Sequence, residues 1–291
     1  MLGRDVVALL EAERESVVAL SRQELDVSNR DSVPGAVASS APDVIVNCAA
    51  WTKVDDAEAH EEQATLINGA AVETLVAAAN SANALLIQLS TDFVFDGASR
   101  EPYVVDAETA PLSAYGRSKL AGEVAARTAN RHVILRTSWL FGIHGWNFVE
   151  AMRKQIEGGR YELRVVDDQH GRPTYTPHLA QAIVALGRVA AADENQRGTF
   201  HYADSPECTW FDFATEIVEQ LKLRGVAPQD ARVLPVSSAE FPRPAIRPAY
   251  SVLSTRRYEE ATGLRPSSWK DGLREYLTLP RPAKRGEGGA Q

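Results

Sequence analysis

The chain has 291 residues, a formal net charge of −8, and hydrophobic and charged fractions of 44% and 24%. That is enough for one large or two modest domains with buried cores, and it excludes a disulfide-stapled miniprotein and a basic nucleic-acid footprint. No apolar run approaches the roughly 18 to 20 residues that span a bilayer, no basic-then-apolar leader opens the chain, and Cys48 and Cys208 stand far apart in no metal or redox spacing, so reduced, core-packed thiols in a soluble cytoplasmic protein are expected.

An amphipathic helix is predicted first, over 5–15, followed by VVAL (17–20) as a short buried strand. Continuous rather than alternating apolar runs come next at DVIVNCAA (43–50), ALLIQLS (84–90) and HVILRTSWLF (132–141). Such runs mark strands covered on both faces. Helical patterns lie between them over 61–82 and 114–129. Strand and helix in alternation predict an α/β fold with a doubly wound parallel sheet. Beyond 142 the rhythm weakens into a smaller second region, with strands at 161–169 and 198–204 and helices near 147–157, 177–190 and 210–223. A Pro- and Ser-rich loop fills 236–254, TRRYEEATG and WKDGLREYLT form two short closing helices, and the tail RPAKRGEGGAQ is expected to be disordered.

The most informative stretch is SAYGRSKLAGE, which sets Tyr115 and Lys119 four apart on one helix face. Alone, that spacing is common on solvated helices. LSTDFVFDG adds Thr91 at the end of a buried strand, and the three make a set. With them the chain resembles the extended short-chain dehydrogenase/reductase superfamily and, within it, the dTDP-4-dehydrorhamnose reductases. LDVSNRDSV, PDVIVNCAAWTKVDDAE, LSTDFVFDG, YGRSKLAGE, LRTSWLFG, VVDDQHGRPTY and RPAYSVLS each match a segment of that family, in order, over nearly the whole chain. STDFVFDG with DDQHGRPT is specific to this branch, whereas YxxxK indicates only the superfamily.

The resemblance implies a Rossmann-like dinucleotide-binding domain over 1–145 and a mainly substrate-binding region over 146–280 that partly returns to the first, with 281–291 as the tail. It implies NADPH-dependent reduction of the 4-keto group of dTDP-4-dehydro-L-rhamnose to dTDP-L-rhamnose. Two alternatives stay open: reduction of another nucleotide-linked 4-keto sugar, and a non-catalytic binding subunit like the regulatory β subunit of methionine adenosyltransferase. The implied partner is a dTDP-sugar, with no nucleic acid or membrane, and the family admits a homodimer.

Ketone reduction builds negative charge on the carbonyl oxygen as hydride arrives, so a proton source and a second donor must converge there. Tyr115 is expected as the acid and Thr91 as the donor. The Lys119 ammonium is expected to lower a phenol that ordinarily titrates at about 10 and, by resemblance, to hold the nicotinamide ribose. In a doubly wound sheet the cofactor lies across the carboxyl ends of the strands, so Ala50, Trp51 and Thr52 should line it. Asp26 and Val27 match the family's adenine-contacting pair. No acidic residue ends the predicted second strand. Ser21 and Arg22 stand there instead and suit a 2′-phosphate, which favours NADPH over NADH; the alternative for Arg22 is a solvated loop with no ligand.

Asp92 and Trp139 match positions that contact the deoxysugar nucleotide, although Trp139 could equally belong to the core. The six histidines form no ligand pattern, and no metal site is expected. Some members carry Mg²⁺ held by glutamates at a dimer interface, but here only Asp5 falls near a matching position, which weakens the case for a metal. Family members begin with a strand and a G-x-x-G-x-L-G loop, in which Met often follows the second glycine. MLG resembles the tail of that loop with Gly3 as its third glycine, so the first strand and most of the glycine loop are expected to be missing from this sequence, Met1 being an internal methionine taken as the start. The alternative is a relative that has lost dinucleotide binding.

Overall fold

The computed structural model describes residues 1–280, so the predicted tail lies outside the described residues. In chain order the first half runs α1 (Leu2–Ala12), α2 (Ser32–Ser40), β1 (Val44–Asn47), α3 (Val54–Ala57), α4 (Glu61–Thr65), α5 (Ala71–Ser81), β2 (Leu85–Thr91), α6 (Ala114–Ala126), β3 (His132–Thr137) and β4 (Leu140–Phe141). The second half runs α7 (Phe148–Glu157), β5 (Glu162–Val166), β6 (His170–Gly171), β7 (Thr174–Tyr175), α8 (Thr176–Ala192), β8 (Gly198–His201), β9 (Cys208–Thr209), α9 (Trp210–Leu223), β10 (Arg232–Val236), α10 (Arg256–Thr262) and α11 (Trp269–Tyr276).

The central sheet is parallel, in the order β1-β2-β3-β8. Successive side chains of a strand point to opposite faces, and here both faces are apolar. Leu85, Ile87 and Leu89 join Val133 and Leu135 on one face, against Leu2 and Val6 of α1 and Leu179, Ile183 and Leu186 of α8. Leu86 and Ile134 point the other way, against Val72 and Val76 of α5 and Ala125 and Ala126 of α6. Near the carboxyl end of the second face the apolar residues give way to Gln88, Ser90 and Arg136, all buried. A second core joins α7, α9 and α11 through Val149, Met152, Ile156, Phe213, Ile217, Trp269 and Leu273.

Several expectations need correction. VVAL forms no strand: Val18 and Leu20 are 61% and 47% exposed, and the segment pairs with no other among the described residues. An extended segment without a ladder neighbour leaves its backbone groups to water. The first helix spans Leu2–Ala12 rather than 5–15. The helix expected over 61–82 is interrupted by a π-helical turn at Leu66–Ala70. The run HVILRTSWLF breaks between β3 and β4 because Trp139 adopts φ 48°, which no pleated strand accommodates. Residues 198–201, read as part of the second region, hydrogen-bond beside β3 in the central sheet. α2, with Pro34, Gly35 and three serines, carried no helical signal.

Candidate active site

Thr91 ends β2 and is paired in register with Thr137 at the end of β3, so both hydroxyls stand at the carboxyl edge of the sheet. Tyr115 and Lys119 reach that edge from the first turns of α6. The helix starts where it does because Ser113 Oγ accepts from Gly116 N and Glu58 Oε1 accepts from Ala114 N. It also lies close to its neighbours. A Cβ at Gly116 would sit 2.3 Å from the Phe93 carbonyl, and one at Gly122 would sit 2.1 Å from the Asn68 carbonyl.

The Thr91 hydroxyl donates to Asp92 Oδ1 (3.0 Å) and accepts from Phe93 N (3.2 Å). Burial pushes the Tyr115 phenol up to about 12, with the Asp92 charge adding to the effect and a hydrogen bond with Thr91 opposing it. Lys119 Nζ donates to the Leu89 carbonyl at 2.6 Å. Burial pulls this ammonium down to about 8, with Glu123 and Cys48 holding it up. The expectation that Lys119 depresses the phenol is not met in this arrangement: its ammonium is committed to Leu89, and burial dominates at Tyr115. Tyr115 is therefore a protonated acid throughout the neutral range.

Asp92, read as a substrate contact, is buried. What its carboxylate holds is Thr91, and its Oδ2 has no hydrogen-bond partner among the described residues. Burial raises it to about 6, against hydrogen bonds from Ser251 and Thr91. Trp139 is half-buried, stacked on Trp210 with ring centroids 3.7 Å apart.

One turn beyond Lys119, sequence reasoning missed a buried network. Glu123 accepts both arms of Arg136 (2.8 Å each), Ser90 Oγ (2.6 Å) and Arg127 (2.8 Å). Arg136 also reaches the Val105 carbonyl and His201 Nε2. His201 is neutral, pushed down to about 3 by burial and by Arg136. Its Nδ1 therefore donates to the Tyr103 carbonyl while Nε2 accepts from Arg136. A charge inside the apolar run HVILRTS was the available signal.

Asn68, in the π-helical turn, was also missed. Its amide accepts from Trp51 N (2.8 Å) and donates to Trp51 O (3.1 Å) and Ser118 Oγ (2.9 Å), which pins the Ala50 to Thr52 segment to α6. Trp51 and Tyr115 share one apolar cluster. Gly3 packs on Cys48, just past β1. Ser21, Arg22, Asp26 and Val27 lie apart on a loop rather than at a strand end. There Arg22, 80% exposed, faces Asp26 at 3.7 Å, and Asp26 accepts from Ser28. Asp5 faces His144 at 3.6 Å. Arg247 grips Asp55 through two 3.0 Å bonds, tying the C-terminal loop to α3.

Comparison with known proteins gives a consistent result. Residues 1–281 match the family model described as the RmlD substrate binding domain. The chain is 43% identical over 282 residues to a dTDP-4-keto-6-deoxy-D-glucose reductase of Streptomyces niveus, covering 96% of this chain and 94% of the relative. It is 42% identical over 278 residues to a dTDP-4-dehydrorhamnose reductase of Streptomyces griseus, covering 94% and 89%. Among solved structures, the Bacillus anthracis dTDP-4-dehydrorhamnose reductase in complex with NADP superposes with a TM-score of 0.87 at 34% identity, covering 95% of each chain.

Proposed function

The chain belongs to the RmlD substrate binding domain family, and from that membership we propose that it is an NADPH-dependent reductase converting the 4-keto group of dTDP-4-dehydro-L-rhamnose to the alcohol of dTDP-L-rhamnose. The observation that carries this is the meeting of Thr91, Tyr115 and Lys119 at the carboxyl edge of the sheet. An intact proton-delivering set is what an enzyme needs and a binding subunit does not. Both thiols are free, in keeping with a reducing, cytoplasmic setting.

The chain's groups suit a nicotinamide dinucleotide. The first turn of α1 has no side-chain cap, and Gly3 brings that turn against the residue following β1. When bound, NADPH supplies the hydride. Gly3 and the Ala50 to Thr52 segment would line it, Lys119 and Tyr115 would face the nicotinamide ribose, Asp26 and Val27 the adenine, and Ser21 and Arg22 the 2′-phosphate. We assign residues 1–145 to this role and most of 146–280 to the sugar nucleotide, with Trp139 and the Thr91–Asp92 pair on the substrate side.

Tyr115 delivers its proton to the carbonyl oxygen as that oxygen gains charge. Thr91 has a single hydroxyl hydrogen, so it becomes the second donor by turning from Asp92 to the substrate. Lys119, charged below about pH 8, would face the nicotinamide ribose rather than set the phenol's own proton affinity.

A second reading, another 4-keto-6-deoxy sugar on the same carrier, is favoured by the name of the Streptomyces niveus relative. Assaying NADPH oxidation with dTDP-4-dehydro-L-rhamnose and with dTDP-4-keto-6-deoxy-D-glucose decides between them. Tyr115→Phe should lower the rate by roughly 10²- to 10⁴-fold; a rate within threefold of wild type, or no oxidation with either substrate, overturns the assignment.

A further inference from the structure

Arg172 is a cation that the fold draws away from water without supplying an anion. It sits half-buried between β6 and β7, and its Nε is buried with no hydrogen-bond partner. No carboxylate lies within 4.0 Å of its guanidinium among the described residues. Arg136 and Arg247 differ, each gripping a carboxylate through two N–H donors. Burial holds Arg172 below its ordinary value, with Glu207, Tyr250 and Glu259 acting on it only through space.

The backbone around Arg172 is fastened to the candidate site. Ser138 Oγ donates to the Arg172 carbonyl at 2.7 Å, and Thr174 N donates to the Trp139 carbonyl at 3.1 Å. Gly171 lies so close to the Trp139 indole that a Cβ there would be 2.4 Å from Cε2. On the opposite side Tyr250 precedes Ser251, which reaches the Asp92 carboxylate. Arg172 thus lies on the segment that joins Ser138 and Trp139 to Ser251, the residue beside the Asp92 carboxylate. None of these links runs to Gly3 or to the Ala50 to Thr52 segment.

We propose that Arg172 recognises the diphosphate of the nucleotide-linked sugar, so that its orphaned guanidinium is completed by substrate. The proposal rests on reading the chain as a nucleotide-sugar reductase. A planar guanidinium offers paired donors that match phosphate oxygens, which a lysine at this position would not. The desolvation already suffered by the free protein then strengthens the contact when the anion arrives.

The test is calorimetric titration of wild type, Arg172→Gln and Arg172→Lys with dTDP, thymidine and NADPH, with thermal midpoints as a check on folding. Arg172→Gln should weaken dTDP by roughly 10- to 100-fold while leaving thymidine and NADPH within twofold, and Arg172→Lys should recover part of the loss. Unchanged dTDP binding overturns the proposal. So does an equal loss for thymidine, which would make Arg172 structural, and so does a loss confined to NADPH, which would give it to the cofactor. Wild type that fails to bind dTDP at all refutes the underlying functional reading instead.

Discussion

Replacing Asp92 with Asn should change the pH dependence of stability in a direction fixed by burial. The carboxyl is pushed from 3.8 to about 6, so at neutral pH the folded protein carries an ionised group that it holds less well than water does, a destabilisation of about 3 kcal/mol. The folded pKa is the higher one. This group's contribution is therefore most favourable below about pH 4 and is lost as pH rises through about 6. Asn has no proton to lose. It does leave an amide where Oδ2 has no partner, at a cost of about 1–3 kcal/mol, but that cost is the same at every pH. Of the 3 kcal/mol, about 2 develops between pH 4.5 and 8, equivalent to about 4 °C for a chain of this size. Calorimetric scans of both proteins across that range should show the Asn variant gaining on wild type as pH rises, whatever the offset. A difference in midpoints that stays constant, or that shrinks toward pH 8, would refute the reasoning.

The pH profile of turnover offers a second check. kcat/KM for NADPH reports groups of the free enzyme; with Lys119 at about 8 and Tyr115 at about 12, it should fall as pH rises through about 8, and a profile flat to pH 9.5, by stopped or continuous assay, would deny Lys119 a charged role. Arg22→Ala should weaken NADPH by about 1.5–3 kcal/mol and leave NADH nearly unchanged in parallel titrations; equal losses would mean that Arg22 does not meet the 2′-phosphate.

The parts of this molecule legible from sequence are those where one physical requirement dominates. ALLIQLS had to be a strand covered on both sides, and Tyr115 and Lys119 had to share a helix face. Where two requirements compete, pattern alone misleads. VVAL has a strand's composition but no ladder to join. HVILRTSWLF reads as one predominantly apolar run, yet Trp139 takes a left-handed backbone that turns the chain from β3 into β4. Asn68 and Glu123 read as ordinary polar residues on helices, because what distinguishes them is the segment packed opposite, which the local sequence does not contain. The neighbour that commits Lys119, the carbonyl of Leu89, was hidden for the same reason.

The Glu123–Arg136–His201 network also bears on how the molecule assembles. Glu123 and Arg136 lie 13 positions apart, whereas His201 is 65 beyond Arg136, so the last member arrives only when β8 docks. Until then water stands in for His201 at the open edge of β3, and the network reaches its dry, low-dielectric form only in the complete sheet. The finished network therefore forms only when all of the sheet is in place, at the edge where Thr91, Tyr115 and Lys119 meet. That edge is thus completed by a strand from far along the chain, so its geometry depends on residues well beyond the three that meet there.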